Sequence, residues 1–288
     1  MSRRAKRSSA AILGAAGLLL TACGPVSTTR PGAGLVLISK EQEFALGDEF
    51  AESLRKDAAA GKVALVPQPA GGYLDALGRT LTAVSQRPGV PYQFSFINED
   101  TINAFAVPGH VYVYRGLVEL AETEGEFAAA LAHEIGHVVG RHSAKNVSKE
   151  MSMSLGAEVV LVALGDTEFN RIAANLILTG AIKKYGRDEE RQADLLGVEE
   201  CAAAGIDPHG AVALFRKFEK TFAERPNAVE GFFADHPFSG ERADNVGKHI
   251  ATLRLQPGLR TDSPAYRAWR KAVLSAPAAP PAADSSKK

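Results

Sequence analysis

The chain is short of cysteine, of net charge and of long apolar runs, and each shortage closes off a class of protein. Only Cys23 and Cys201 are present among 288 residues, so a disulfide-stapled scaffold is excluded. Lys and Arg number 33 and Asp and Glu 33, and no basic patch marks a nucleic-acid surface, so no nucleic-acid partner is expected. The apolar run from Ala10 to Ala22 is too short for the roughly 20 residues of a membrane-spanning helix. The apolar stretches 159–164 and 172–182 are interrupted by Asp166, Asn170, Arg171 and Asn175, and read as two helices over the core, placed to act as a lid. No internal repeat is visible.

What the N-terminus does have is an export pattern. Arg3, Arg4, Lys6 and Arg7 precede the apolar run, which closes on Leu20-Thr21-Ala22-Cys23. That ending resembles a bacterial lipobox, with cleavage before Cys23 and lipid attachment to it. No apolar residue follows Arg3-Arg4 closely, which disfavours twin-arginine export. Gly24 rather than Asp after the cysteine implies sorting to the outer membrane, facing the periplasm. Residues 1–22 are then a lipoprotein signal peptide and 23–40, rich in Pro, Gly, Ser and Thr, a tether. Loss of the signal leaves 29 basic residues against 33 acidic, and leaves Cys201 without a partner in the chain.

The densest chemistry lies at 131–143, where His133-Glu134-Ile135-Gly136-His137 has the pattern His-Glu-x-x-His. On a helix, residues four apart stand about 40° from each other around the axis. His133 and His137 therefore face one way and can hold one zinc ion, with Glu134 beside them in reach of a water on the metal. Thr123-Glu124-Gly125-Glu126 has capping-box spacing, Phe127, Ala130, Leu131, Ile135, Val138 and Val139 supply an apolar side, and Gly140 is a plausible stop.

Two histidines are too few protein ligands for a catalytic zinc. Glu190 and Asp194 are four apart on a second predicted helix ending near Gly205. Glu190 can bind the metal directly. Asp194, one turn on, can accept a hydrogen bond from the free ring nitrogen of a ligating histidine, with His133 the expected partner.

Leu131-Ala132-His133-Glu134-Ile135-Gly136-His137 followed by Glu190-x-x-x-Asp194 resembles the zinc metallopeptidases of family M48, over about residues 41–255. Two further stretches are similar to that family: Asn103-Ala104-Phe105-Ala106-Val107-Pro108-Gly109 to its edge strand and turn, and His236-Pro237-Phe238-Ser239-Gly240-Glu241-Arg242 to its His-Pro-x-x-x-x-Arg element. The resemblance implies a zincin-like α+β fold, mostly helical, with a small sheet and one Zn²⁺ per chain. It implies that Asn103, Ala104 and Phe105 lie on a strand that can pair with an extended peptide.

The remaining pattern predicts helices over 40–60, 73–85, 207–223 and 239–254, and strands over 92–97, 103–107 and 111–114. The domain is expected at 41–255, with 256–288 a C-terminal segment ending in a disordered tail. In the expected reaction Glu134 takes a proton from the water and passes it to the leaving amine. Tyr185, His110 and His236 are candidates for the oxyanion donor, His236 favoured by its place in the matched element; it could instead swing onto the zinc and block water. The expected function is a zinc metalloendopeptidase of the bacterial envelope acting on misfolded or misassembled proteins, with envelope assembly partners conceivable. The alternative is a non-catalytic zinc-binding lipoprotein that assists envelope assembly.

Overall fold

The computed structural model describes residues 36–67, 72–155, 185–229, 232–233, 236 and 240–279. The expected signal peptide, Cys23, most of the tether, the two helices within 156–184, Pro237-Phe238-Ser239 and the tail from 280 lie outside the described residues.

Helix α1 (Lys40–Ala59) opens on a Ser39/Gln42 capping box. It is followed by β1 (Leu65–Val66), α2 (Tyr73–Thr82), β2 (Gln93–Ile97), β3 (Ala104–Val107) and β4 (His110–Tyr114). Helices α3 (Arg115–Leu120), α4 (Glu124–Val139) and α5 (His142–Leu155) come next, then α6 (Arg187–Ala203), α7 (His209–Glu224), α8 (Arg242–Ile250) and α9 (Pro264–Ser275). The architecture is mostly helical with one small sheet, as expected.

The sheet has the order β1-β2-β4-β3. β2 and β4 run parallel, while β3 and β4 form an antiparallel hairpin. Pro108-Gly109 turns that hairpin, and Gly109 takes φ 84°, a left-handed conformation that glycine adopts without a Cβ penalty. Among the described residues β3 is thus an edge strand, as the family resemblance implied, and it packs against α4. The two-residue β1 was not anticipated, because it is too short to carry an alternating pattern.

The two faces of the sheet bury different cores. On one, Phe96, Val111 and Val113 meet Phe127, Leu131 and Ile135 of α4. On the other, Leu46 and Phe50 of α1 meet Phe105 and Tyr112, with the Phe50 and Phe105 rings edge-on at 5.7 Å. Helix α9 extends the first core beyond residue 255: Tyr266 and Trp269 pack against Phe127 at ring separations of 5.5 and 5.1 Å. Burial of each such side chain stabilises the fold by roughly 1.5–3 kcal/mol.

A buried carboxylate ties α1 to the end of α4. Glu43, 1% exposed, accepts two hydrogen bonds from Arg87 and one from Arg141 Nε, all at 2.8 Å. Arg87 also donates to the carbonyl of Val138 in the last turn of α4. Arg141 has φ 57°, so the chain turns sharply between α4 and α5 at a residue whose side chain is held from outside.

Candidate metal centre

Helix α4 begins as its sequence predicts. Thr123 Oγ1 accepts from the Glu126 amide at 3.3 Å, and Glu126 Oε2 accepts from the Thr123 amide at 3.2 Å. The cap fixes where the first turn starts, and with it which face carries His133 and His137. That face meets α6 at close range because glycines stand at the crossing. A Cβ on Gly136 would lie 2.8 Å from the Ala193 carbonyl oxygen, and one on Gly197 would lie 3.0 Å from the His133 amide nitrogen. Only glycine lets the two backbones approach so closely, and the approach brings Glu190 and Asp194 opposite the histidines.

His133, His137, Glu190 and His236 each offer one donor atom, and these atoms all lie within 4.8 Å of one another. His133 Nε2 is 3.0 Å from His137 Nε2, 3.3 Å from His236 Nδ1 and 3.5 Å from Glu190 Oε2. Glu190 Oε1 is 3.4 Å from His137 Nε2 and 3.0 Å from His236 Nδ1. Donors about 2.0–2.1 Å from a common centre stand about 3.3–3.4 Å apart at the corners of a tetrahedron. The five measured separations, 3.0–3.5 Å, lie near that edge, with Glu190 meeting His133 through Oε2 and His137 and His236 through Oε1.

Charge agrees with shape. Glu134, Glu190 and Asp194 are three carboxylates at 1%, 3% and 5% exposure, and Arg242 is the guanidinium among them. With His236 neutral two negative charges remain over, the complement of one divalent cation; without a cation, a proton on His236 takes up one of them. Burial pushes the His137 imidazole well below its ordinary range, which favours the neutral ring that a metal ligand needs. Burial would raise Glu190, but His236, Arg242 and His137 more than offset it and hold the carboxyl well below the ordinary carboxylate range. Burial opposes a charge on His236, yet Glu190 and Glu134 hold its pKa up at about 9. Positive charge is therefore favoured at this point of the site. The donor set of imidazoles and a carboxylate suits zinc.

Around this cluster, Asp194 Oδ1 lies 2.8 Å from His133 Nδ1, the pairing expected from the sequence. Arg242 locks Asp194 from the far side, donating through Nε at 2.9 Å and Nη2 at 2.6 Å, and reaches Glu190 Oε2 through Nη1 at 3.0 Å. Its guanidinium lies 4.4 Å from the centre of the Phe215 ring. Sequence reasoning quoted Arg242 within a motif but gave it no role. Forty-eight residues separate it from Asp194, and nothing local announces the pair.

Glu134 lies outside the donor set. Its Oε1 is 3.4 Å from His236 Nε2, so His236 faces the cluster with one ring nitrogen and Glu134 with the other. Of the other two candidate donors, Tyr185 stacks on the His137 ring at 3.8 Å, with its hydroxyl 3.3 Å from Ser143 Oγ. His110 points elsewhere, to Asp48 on α1 at 2.8 Å, and belongs to the α1 side of the sheet. Asn103, Ala104 and Phe105 are buried at the edge of the sheet, Phe105 filling the second core.

The sequence model of peptidase family M48 matches residues 70–250. The chain is similar to the beta-barrel assembly-enhancing protease of Escherichia coli, 27% identical over 230 residues, covering 75% of this chain and 45% of that protein. The protein of the same name from Yersinia pestis is 26% identical over 233 residues, covering 76% and 46%. The mitochondrial metalloendopeptidase OMA1 of Schizosaccharomyces pombe is 28% identical over 186 residues, covering 64% and 54%. The chain spans about half the length of the curated relatives it matches.

Proposed function

The chain belongs to peptidase family M48, and from that premise we propose that it is a zinc-dependent metalloendopeptidase of the bacterial envelope. The observation that carries this reading is the convergence of ligand atoms from His133, His137, Glu190 and His236 within 4.8 Å of one another, with the Glu134 carboxylate buried beside them. A metal held only for structure needs no buried base at its side.

His133, His137 and Glu190 would hold the ion. Bound zinc supplies a Lewis acid that polarises the scissile carbonyl and acidifies water. Glu134 accepts the proton of the attacking water as the C–O bond forms. It then delivers that proton to the amide nitrogen as the C–N bond breaks. Asp194 and Arg242 hold the His133 ring in one tautomer and one orientation. A substrate strand is expected to add to β3, at Asn103, Ala104 and Phe105. Backbone pairing there binds peptides with little demand on their sequence.

For substrate we propose misfolded or misassembled envelope proteins, on the strength of the relatives named for assembly of beta-barrels. The test uses an unstructured casein-type substrate, the native chain and His236→Ala, with and without a chelator. Cleavage should stop on chelation and return with one equivalent of zinc per chain. If neither form cleaves with zinc bound, the non-catalytic lipoprotein reading replaces this one.

Anchoring is the second part of the proposal. No helix among the described residues is long and apolar enough to cross a membrane. The motif ending at Cys23 supplies a lipid attachment instead, with two or three acyl chains giving stable binding where one is marginal. Expressed with a fatty-acid analogue, the native precursor should take up label and Cys23→Ser should not. An unlabelled native chain removes the lipoprotein assignment and the outer-membrane location that depends on it.

A further inference from the structure

Beyond the metal ligands, α6 reaches the second histidine of the motif by an indirect route. His137 Nδ1 lies 2.8 Å from His142 Nδ1, and His142 Nε2 lies 2.9 Å from the Gln192 side-chain oxygen. All three side chains are buried, His142 at 0% exposure. Gln192 stands on α6 between Glu190 and Asp194, and its side-chain oxygen also faces the Lys145 ammonium at 3.5 Å, a neighbour that suits an acceptor rather than an amide NH₂.

The proton positions follow from the one atom in this chain that can only accept. An amide oxygen takes a hydrogen, so His142 Nε2 carries one. A neutral His142 then has a lone pair on Nδ1, so the hydrogen between the two Nδ1 atoms belongs to His137. His137 is left with a bare Nε2, and Nε2 is the atom turned toward His133 and Glu190. We propose that His142 and Gln192 form a relay that fixes the tautomer and ring orientation of His137, as Asp194 does for His133. This rests on the zinc reading of the cluster. One helix, α6, thereby supplies a ligand and pins both motif histidines, one directly and one through His142.

The fold explains how His142 gets there. It follows Gly140 and Arg141, and a Cβ on Gly140 would lie 2.3 Å from His142 Nε2. The left-handed Arg141 turns the chain back, and glycine at 140 leaves room for the returning ring. Both are positioning features with no contact to a reacting atom.

Zinc affinity, measured by competition with a chelator, tests the relay independently of turnover. His142→Ala should weaken zinc binding by about 10–100-fold, the usual cost of removing a group that orients a ligand. His142→Asn, whose amide oxygen can accept from His137 Nδ1, should recover most of that loss. Gln192→Ala should weaken binding less, and the double variant His142→Ala/Gln192→Ala should be no weaker than His142→Ala alone, because Gln192 acts through His142. Imidazole ¹⁵N spectra of the zinc-loaded chain should place the His137 proton on Nδ1 in the native protein and in His142→Asn.

A His142→Ala isotherm that overlays the native one, while His137→Ala loses zinc, overturns the relay and leaves the zinc site standing. A His137→Ala isotherm that overlays the native one overturns the zinc reading and the relay with it. If His142→Ala does not fold, His142→Asn and Gln192→Ala decide: additive losses without recovery count against the relay.

Discussion

Glu134→Gln is expected to bind zinc with native stoichiometry and to cleave peptides about 10²–10⁴-fold more slowly, the range that general acid–base groups contribute. The expectation rests on where Glu134 stands. It is next to His133 in sequence, yet on a helix adjacent residues diverge by about 100°, so it flanks the cluster rather than joining it. The converging donor atoms come from His133, His137, Glu190 and His236. The substitution keeps shape and volume at a position only 1% exposed, so it should leave packing intact. What it removes is the ability to take a proton. Metal content and kcat are measured on the same preparation. Unreduced cleavage removes Glu134 from the reaction, and a loss of zinc would make it a ligand.

The parts of this site that were legible in the sequence are those whose geometry is local. Thr123 and Glu126 announced the start of α4 three residues apart, and the four-residue spacings of His133/His137 and Glu190/Asp194 declared a common face on each helix. The edge position of β3 was readable from its likeness to a known pattern. Contacts made by the returning chain were not. Nothing near Arg242 says that it will grip Asp194, and nothing near Gln192 says that it will reach His137 through His142. Both depend on α6 crossing α4 at Gly136 and Gly197, and a glycine inside a helix is an ambiguous sign until its neighbour is known. The helix Pro264–Ser275 carried readable signals, Ser263 as cap and proline in its first turn. No helix was expected there, beyond the expected domain end at 255, although Trp269 belongs to the core.

His236→Ala is expected to raise basal cleavage while zinc stays bound. Family resemblance left this histidine two opposite roles, and the geometry favours one of them. An oxyanion donor must stand off the metal, close to where the substrate oxygen develops charge. His236 Nδ1 instead sits 3.3 Å from His133 Nε2 and 3.0 Å from Glu190 Oε1, at the separations of a fourth tetrahedral corner. Catalytic zinc sites keep that corner open for water, whereas a site with four protein ligands is closed. Its other nitrogen faces Glu134, so the same ring stands between the base and the place where it must act. On this reading His236 would hold the described conformation shut, and activity would require it to leave. If the closed form outnumbers the open one by about 10–100 to one, removing the ring raises the rate by about that factor, since only the competent fraction turns over. Zinc should remain on His133, His137 and Glu190, the three-ligand complement of a catalytic site. A fall of about 10²–10³-fold with zinc retained would restore the donor role. Unchanged rates would reduce His236 to a residue that shapes the turn before Pro237.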